Sequence, residues 1–165
     1  MLSRIGIMSQ FFEIARRPLV LSEAQITLAT ARHLGKLGNV IISLALPGDG
    51  SGVIFHANDS SLPSFVPDII ARTKEAKYIV LEAKPKYSIS DIQKLEKFKS
   101  IAYEKSIKNL LGVGISDVVT ALAFAHDNPT QIDFKTGQKD PDLIFVVDLE
   151  LKCHLILNNC QLPNI

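Results

Sequence analysis

The chain has 165 residues, of which 47% are hydrophobic, 21% charged and 7% aromatic. This composition is that of an ordinary globular protein and a poor fit to a disordered, collagen-like or coiled-coil chain. A chain of this length buries roughly 70% of its unfolded surface, which is enough for one core, so residues 1–165 are predicted to form a single domain. The net charge of +1 provides no overall field toward nucleic acid or membrane, and any polyanion must meet a local basic patch.

Two features bear on the compartment. The chain has only two cysteines, Cys153 and Cys160, so a disulfide framework is not indicated and a reducing cytoplasm is predicted. The longest apolar runs, 39–47 and 115–125, are shorter than the roughly 18 residues that a membrane helix needs. No membrane partner is therefore predicted.

The chain begins with two predicted helices. Apolar residues recur at helical spacing within residues 1–12, which favours an amphipathic helix over a transit peptide. Ser22, with Gln25 three residues later, forms a capping box that opens a second helix. Gly38 and Asn39 are predicted to end it.

Two hairpins are predicted next. The first joins the apolar runs 40–46 and 53–57 through a turn rich in glycine. The second joins a strand over 68–72 to a strand over 78–84.

The remainder mixes helix and strand. Ser90 is predicted to cap a helix over 92–101 that turns Leu95 and Phe98 inward, and helical propensity continues to Leu111.

Beyond that helical stretch, residues 118–125 read as a buried strand or helix, which periodicity does not decide, and 143–150 and 152–157 read as strands. This order predicts an α/β fold, an α+β mixed sheet flanked by helices.

The second hairpin carries the most informative pattern. If it is centred on Glu75, residue i faces residue 150 minus i, so Asp68 lies opposite Glu82 with Cβ atoms about 4.5–5.5 Å apart. Side-chain alternation then places Val80, Glu82 and Lys84 on the face of Asp68. The opposite face is entirely apolar and is predicted to face the core: Ile69, Ala71, Ile79, Leu81 and Ala83.

Two carboxylates at this distance repel each other unless a cation lies between them, and a hard divalent ion such as Mg²⁺ is suited to oxygen ligands. Such an ion can activate a water and stabilise the charge of a phosphoryl transition state. Lys84, on the same face, could orient that water or neutralise the phosphorus centre. The arrangement indicates phosphodiester hydrolysis.

The Pro-Asp at 67–68 followed by the Glu-Ala-Lys at 82–84, with its apolar approach, resembles the PD-(D/E)-x-K signature of the restriction-endonuclease-like nuclease superfamily. The resemblance extends over about residues 22–98. It implies a restriction-endonuclease-like core, in which a helix with an acidic residue precedes the hairpin and another helix follows it.

The resemblance also implies roles for single residues. Asp68, Glu82 and the carbonyl of Ala83 would bind Mg²⁺, or Mn²⁺ in its place, and Lys84 would be the catalytic lysine. Glu23 matches the acid of the preceding helix and would complete the metal shell. The helix dipole alone, however, accounts for an acid in a first turn equally well.

Gln93 matches a glutamine that some of these nucleases carry on the following helix, although the tyrosine expected four residues later is Lys97. A lysine-rich stretch surrounds it, which could contact phosphates or simply form a solvated helix face. Its members are Lys86, Lys94, Lys97, Lys99, Lys105 and Lys108. Lys86, Gln93, Lys94 and Lys97 are the predicted DNA contacts.

A second copy of the pattern has Asp142 with Glu150 and Lys152. The residues between Asp142 and Glu150 read as one extended strand, which would hold the two carboxylates about 26 Å apart. The second copy is therefore predicted to form no site.

Together these features predict a metal-dependent DNA endonuclease of restriction, repair or structure-specific type. Cleavage of both strands would need a homodimer or a partner subunit. The alternative is a non-catalytic module of the same fold that binds nucleic acid or protein, in which the hairpin charges are structural. Convergence of Asp68 and Glu82 would favour the enzyme.

Overall fold

Six strands form one mixed sheet in the computed structural model, which describes residues 20–127 and 140–165. The helix predicted over residues 1–12 lies outside the described residues. In chain order the elements are α1 (Glu23–Lys36), β1 (Val40–Leu44), β2 (Ile69–Arg72), β3 (Tyr78–Lys84), α2 (Ile89–Phe98), α3 (Glu104–Leu111), β4 (Val118–Ala125), β5 (Leu143–Val147) and β6 (Cys153–Asn158).

The strands lie side by side in sequence order, β1 to β6. The pairs β1–β2, β2–β3 and β5–β6 are antiparallel, whereas β3–β4 and β4–β5 are parallel. The α/β mixed sheet predicted from the sequence is thus confirmed. The undecided segment 118–125 is a strand, and it is buried in the middle of the sheet.

Helix α1 begins as predicted. The Ser22 hydroxyl accepts a hydrogen bond from the Gln25 N–H at 3.2 Å, and the Gln25 side chain accepts one from the Ser22 N–H at 2.9 Å. Both halves of the capping box are therefore formed, which fixes the first turn and its Glu23. After the helix, Gly38 has a φ of +88°, and a Cβ there would lie only 2.7 Å from the Lys74 side chain. The left-handed backbone favours glycine at this position, whereas the end of the Lys74 side chain can move aside.

The second hairpin has the predicted register. Ile69 pairs with Leu81 and Arg72 with Tyr78, so each pair of numbers adds to 150. The pairing extends one residue beyond β2, because the Asp68 N–H donates to the Leu81 carbonyl at 3.0 Å.

The first predicted hairpin is wrong. β1 pairs with β2 rather than with residues 53–57. Within the long connection between β1 and β2, Phe55 and Phe65 instead form an isolated antiparallel bridge. Both rings are buried against Phe98 of α2, so burial of large aromatic side chains decides the path of this segment rather than local turn chemistry.

The predicted cap of the third helix is also wrong. α2 begins at Ile89 with Ser88 as its N-cap, and Ser90, whose hydroxyl lies 2.8 Å from that of Ser88, belongs to the first turn. Leu95 and Phe98 face inward as predicted. Helical structure resumes in α3 after a short 3₁₀ turn, in agreement with the propensity up to residue 111.

Both faces of the sheet are buried. α1 covers the apolar face that the hairpin pattern predicted. The other face, which carries Val80 and Glu82, is covered by α2, α3 and the Phe55–Phe65 segment. The carboxylates of the hairpin therefore stand at the edge of a second core. No helix within residues 20–127 and 140–165 is long and apolar enough to cross a membrane.

Candidate active site

Two carboxylates meet where β2 begins and β3 ends. Asp68 directly precedes β2 and adjoins the residues that follow Leu81 on β3. Its Oδ2 accepts a hydrogen bond from the N–H of Ala83 at 2.7 Å. Asp68 is thus fixed beside Glu82, as the hairpin register predicted.

Glu82 is the most deeply buried charged residue of this region, with 1% of its surface exposed. Its Oε2 accepts a hydrogen bond from Lys94 Nζ at 3.1 Å and lies 3.9 Å from Lys84 Nζ. Its Oε1 is buried and has no hydrogen-bond partner within the described part of the chain. A buried oxygen without a hydrogen-bond partner destabilises the folded state unless a water, an ion or another ligand binds it.

Lys84 links the strand to the first helix. It is the last residue of β3, and its Nζ donates to Glu23 Oε2 at 3.1 Å. The capping box of α1 places Glu23 there. Lys84 thus contacts both Glu23 and Glu82, and Asp68 lies beside Glu82 across the hairpin. With Lys94 these residues form what we call the active-site cluster: Glu23, Asp68, Glu82, Lys84 and Lys94.

Burial changes the acidity of both hairpin carboxyls. It raises the pKa of Glu82 to about 7, although Lys94 opposes the shift, while Asp68 adds to it. Burial also raises the pKa of Asp68, against the opposing effect of the Ala83 N–H hydrogen bond. Both acids are therefore held in an environment that disfavours their charge in the absence of a further cation.

The pKa of Lys84 is also raised, but for a lysine this shift favours the charged form. Burial lowers the pKa of Lys84, but its hydrogen bond to Glu23 and the nearby charges of Glu82 and Asp68 outweigh this effect, so that the net pKa is raised. Lys84 is consequently a permanent cation near neutral pH. It can stabilise negative charge but is not suited to act as a general base.

The cluster offers oxygen donors of the type that a divalent cation takes, but these donors do not form an assembled site in this arrangement of the described side chains. Within residues 20–127 and 140–165, no three acidic, histidine or cysteine side chains stand close enough to form a preassembled metal centre. The ammonium of Lys84 instead contacts carboxylate oxygens of both Glu23 and Glu82. The donors are all hard oxygens, the ligand type that Mg²⁺ or Mn²⁺ takes, and Glu82 Oε1 has no partner among the described residues.

The four predicted DNA contacts separate into two groups. Lys86, Gln93 and Lys97 are exposed, on the exit from β3 and on α2. Lys94 instead points to Glu82. Among the other lysines of the basic stretch, Lys99 forms an ion pair with Asp142 at 2.6 Å, whereas Lys105 and Lys108 are exposed on α3.

Sequence reasoning missed that Lys94 belongs to the cluster and that Phe65 supports it. The Lys94 Nζ lies 5.0 Å from the centroid of the buried Phe65 ring. On the helical wheel Lys94 borders the apolar stripe of α2, which was the available signal. Comparison of the chain with protein-family models, with curated proteins and with solved structures yields no match.

Proposed function

We propose that the chain is a metal-dependent endodeoxyribonuclease with a restriction-endonuclease-like core, which hydrolyses phosphodiester bonds at the active-site cluster. One observation carries this proposal. The carboxylate of Glu82 is buried, and its Oε1 has no partner in the described structure. It lies beside Asp68, which directly precedes the neighbouring strand, and beside Lys84, two residues along its own strand.

A purely structural role accounts poorly for this arrangement. Burying a carboxylate costs several kcal/mol unless its hydrogen bonds are complete, and apolar residues of similar size often replace buried ion pairs with no loss of stability. Glu82 places an ionisable carboxyl at the edge of an apolar core without satisfying Oε1. Such a group is better explained by a ligand that it binds.

The element order also supports the fold part of the proposal. α1 precedes the hairpin and carries Glu23, and α2 follows the hairpin and covers Glu82 through Lys94. These are the two helices that the resemblance implies.

In the proposed reaction, Asp68, Glu82 and Glu23 would hold a divalent cation, together with the carbonyl of Ala83. The bound cation supplies Lewis-acid chemistry, lowering the pKa of a water and offsetting charge on the phosphate. Lys84 remains charged and stabilises the negative charge that develops at the phosphorus centre.

The surroundings suit a polyanion. The cluster has more acids than bases, so DNA must be attracted by charges outside it, and Lys86 and Lys97 are exposed beside it. Phosphate contacts from such lysines give affinity without sequence preference.

Cleavage of both strands would need a second copy of the site, from a homodimer or a partner subunit. We place the activity in the cytoplasm.

The test is cleavage of supercoiled plasmid, linear duplex, single-stranded DNA and a four-way junction with Mg²⁺, Mn²⁺ or EDTA. We expect cutting that EDTA abolishes and that the Asp68→Asn variant has lost. The preferred substrate would identify the type of nuclease. If the wild-type protein binds these substrates but cuts none with either metal, the catalytic proposal is wrong and the non-catalytic binding module takes its place.

A further inference from the structure

We propose that Lys94 is a second substrate-binding lysine of the active site, which contacts the phosphate that is cleaved. This inference rests on the proposed nuclease function. It assigns Lys94 to the reacting centre, whereas the sequence suggested only a contact to the DNA backbone.

The distances place Lys94 nearer to the buried glutamate than the lysine of the signature. Lys94 Nζ lies 3.1 Å from Glu82 Oε2, and Lys84 Nζ lies 3.9 Å from the same oxygen. Lys84 is closer to Glu23, at 3.1 Å. Two ammonium groups from different elements, β3 and α2, therefore flank one carboxylate oxygen.

The protein holds Lys94 in this position by two contacts. Besides Glu82, the ring of Phe65 lies below its ammonium at 5.0 Å. Phe65 is itself fixed by its bridge to Phe55 and by its contact with Phe98. The side chain nevertheless remains 45% exposed, so one side of its ammonium can meet a substrate.

Charge counting favours a phosphate as that substrate group. With all five groups ionised, the three acids of the cluster exceed the two lysines by one negative charge. A divalent cation and a phosphodiester would bring the total to zero. Without Lys94 the same assembly would carry a net negative charge, before the further negative charge of the transition state develops.

The orientation of Glu82 is consistent with this role. Both lysines contact Oε2, whereas Oε1 has no partner in the described part of the chain. The lysine contacts are therefore confined to Oε2 and leave Oε1 to another partner, and the exposed side of Lys94 stays available to a phosphate.

The experiment compares Lys94→Met with Lys94→Arg and with Lys152→Met, which removes an exposed lysine outside the cluster. Cleavage is measured at saturating enzyme and Mg²⁺ on the best substrate of the panel. Mn²⁺ affinity of each free protein is measured by electron paramagnetic resonance. We expect Lys94→Met to cut about 100-fold more slowly, Lys94→Arg to keep most of the rate and Lys152→Met to match the wild type.

The Mn²⁺ measurement separates contact with the phosphate from support of Glu82. We expect Lys94→Met to bind Mn²⁺ at least as tightly as the wild type, because the removed group is positive. Parallel loss of Mn²⁺ affinity and cleavage would overturn the inference, since Lys94 would then act only through Glu82. A wild-type cleavage rate in Lys94→Met would overturn it too, while leaving the proposed function intact. Failure of the wild-type protein to cut any substrate would overturn both.

Discussion

The chain contains the same short pattern twice, and the two copies have different fates. In the first, Asp68 directly precedes β2 and Glu82 lies on the adjacent strand β3. Glu82 is buried, and its Oε1 has no hydrogen-bond partner in the described part of the chain. In the second, Asp142 precedes β5 and Glu150 lies in the turn after it, so the two acids stand at opposite ends of one strand. This agrees with the prediction that the second copy cannot form a site.

The two copies also differ in how their charges are satisfied. Asp142 Oδ2 accepts hydrogen bonds from Lys99 Nζ at 2.6 Å, from the Thr120 N–H at 2.8 Å and from the Thr120 hydroxyl at 3.1 Å. Glu150 pairs with Lys152 in the solvent, with 72% of its side chain exposed. The carboxylates of the second copy are thus paired by groups of the protein itself.

The comparison shows that the spacing of acids and lysine does not by itself define a site. What distinguishes the first copy is a hairpin that brings the acids together and a core that excludes water from one of them. Stability and function are then expected to oppose each other at the first copy and not at the second.

The largest difference between the two copies is expected in the cleavage rate when the lysine of each copy, Lys84 or Lys152, is replaced. In the proposed mechanism Lys84 stabilises the charge at the phosphorus centre, so we expect Lys84→Met to lower the cleavage rate 10²- to 10³-fold. The matched Lys152→Met variant should keep the wild-type rate, because Lys152 is exposed and pairs with an exposed glutamate, outside the cluster. Single-turnover cleavage of plasmid measures both. Equal rates for the two variants would remove the distinction between the copies.

The two glutamates should differ in their effect on stability. In the folded protein the pKa of Glu82 is about 7, against 4.5 for its ordinary value, so folding favours the protonated form. Its contribution to stability is fully present below pH 4.5 and is lost as the pH rises to 7. We expect Glu82→Gln, which cannot ionise, to raise the unfolding free energy at pH 8 by about 3 kcal/mol and to change it little at pH 4.5.

Urea denaturation between pH 4.5 and pH 8 measures this effect. The control is Glu150→Gln, which should change the unfolding free energy by less than about 0.5 kcal/mol at every pH because the side chain is exposed. Destabilisation of Glu82→Gln at pH 8 would mean that Glu82 is a structural ion-pair partner.

Replacing the aspartate of the second copy should lower the unfolding free energy, whereas Glu82→Gln should raise it. Asp142→Ala leaves the buried Thr120 without its carboxylate partner and breaks the pair with Lys99. We expect a loss of about 2 kcal/mol in unfolding free energy and no loss of intrinsic cleavage in the folded fraction. Chemical denaturation measures the loss of stability, and a cleavage assay at 20 °C measures the activity of the folded fraction. A folded Asp142→Ala protein that cannot cut would show that this copy takes part in the reaction.

Local patterns were sufficient for much of the site. The capping box at Ser22 and Gln25 fixed Glu23, and the turn centred on Glu75 fixed the register that joins Asp68 to Glu82. These contacts lie within a few residues of a turn or a helix start, where spacing determines geometry.

Long-range packing determined what the sequence did not reveal. The Phe55–Phe65 bridge depends on a shared core with Phe98, and β1 pairs with β2 across a long connection. No local pattern encodes either contact. The contact between Lys94 and Glu82 depends on how α2 docks on the sheet. Tertiary packing of this kind overrides local propensity.

Whether the first copy binds a divalent cation can be measured by Mn²⁺ titration at pH 8, followed by electron paramagnetic resonance. The proteins to compare are the wild type, Asp68→Asn and Asp142→Asn. We expect the wild type and Asp142→Asn to bind Mn²⁺ with equal affinity and Asp68→Asn to bind at least tenfold more weakly. Equal binding by Asp68→Asn and the wild type, or no binding by the wild type, would contradict the account.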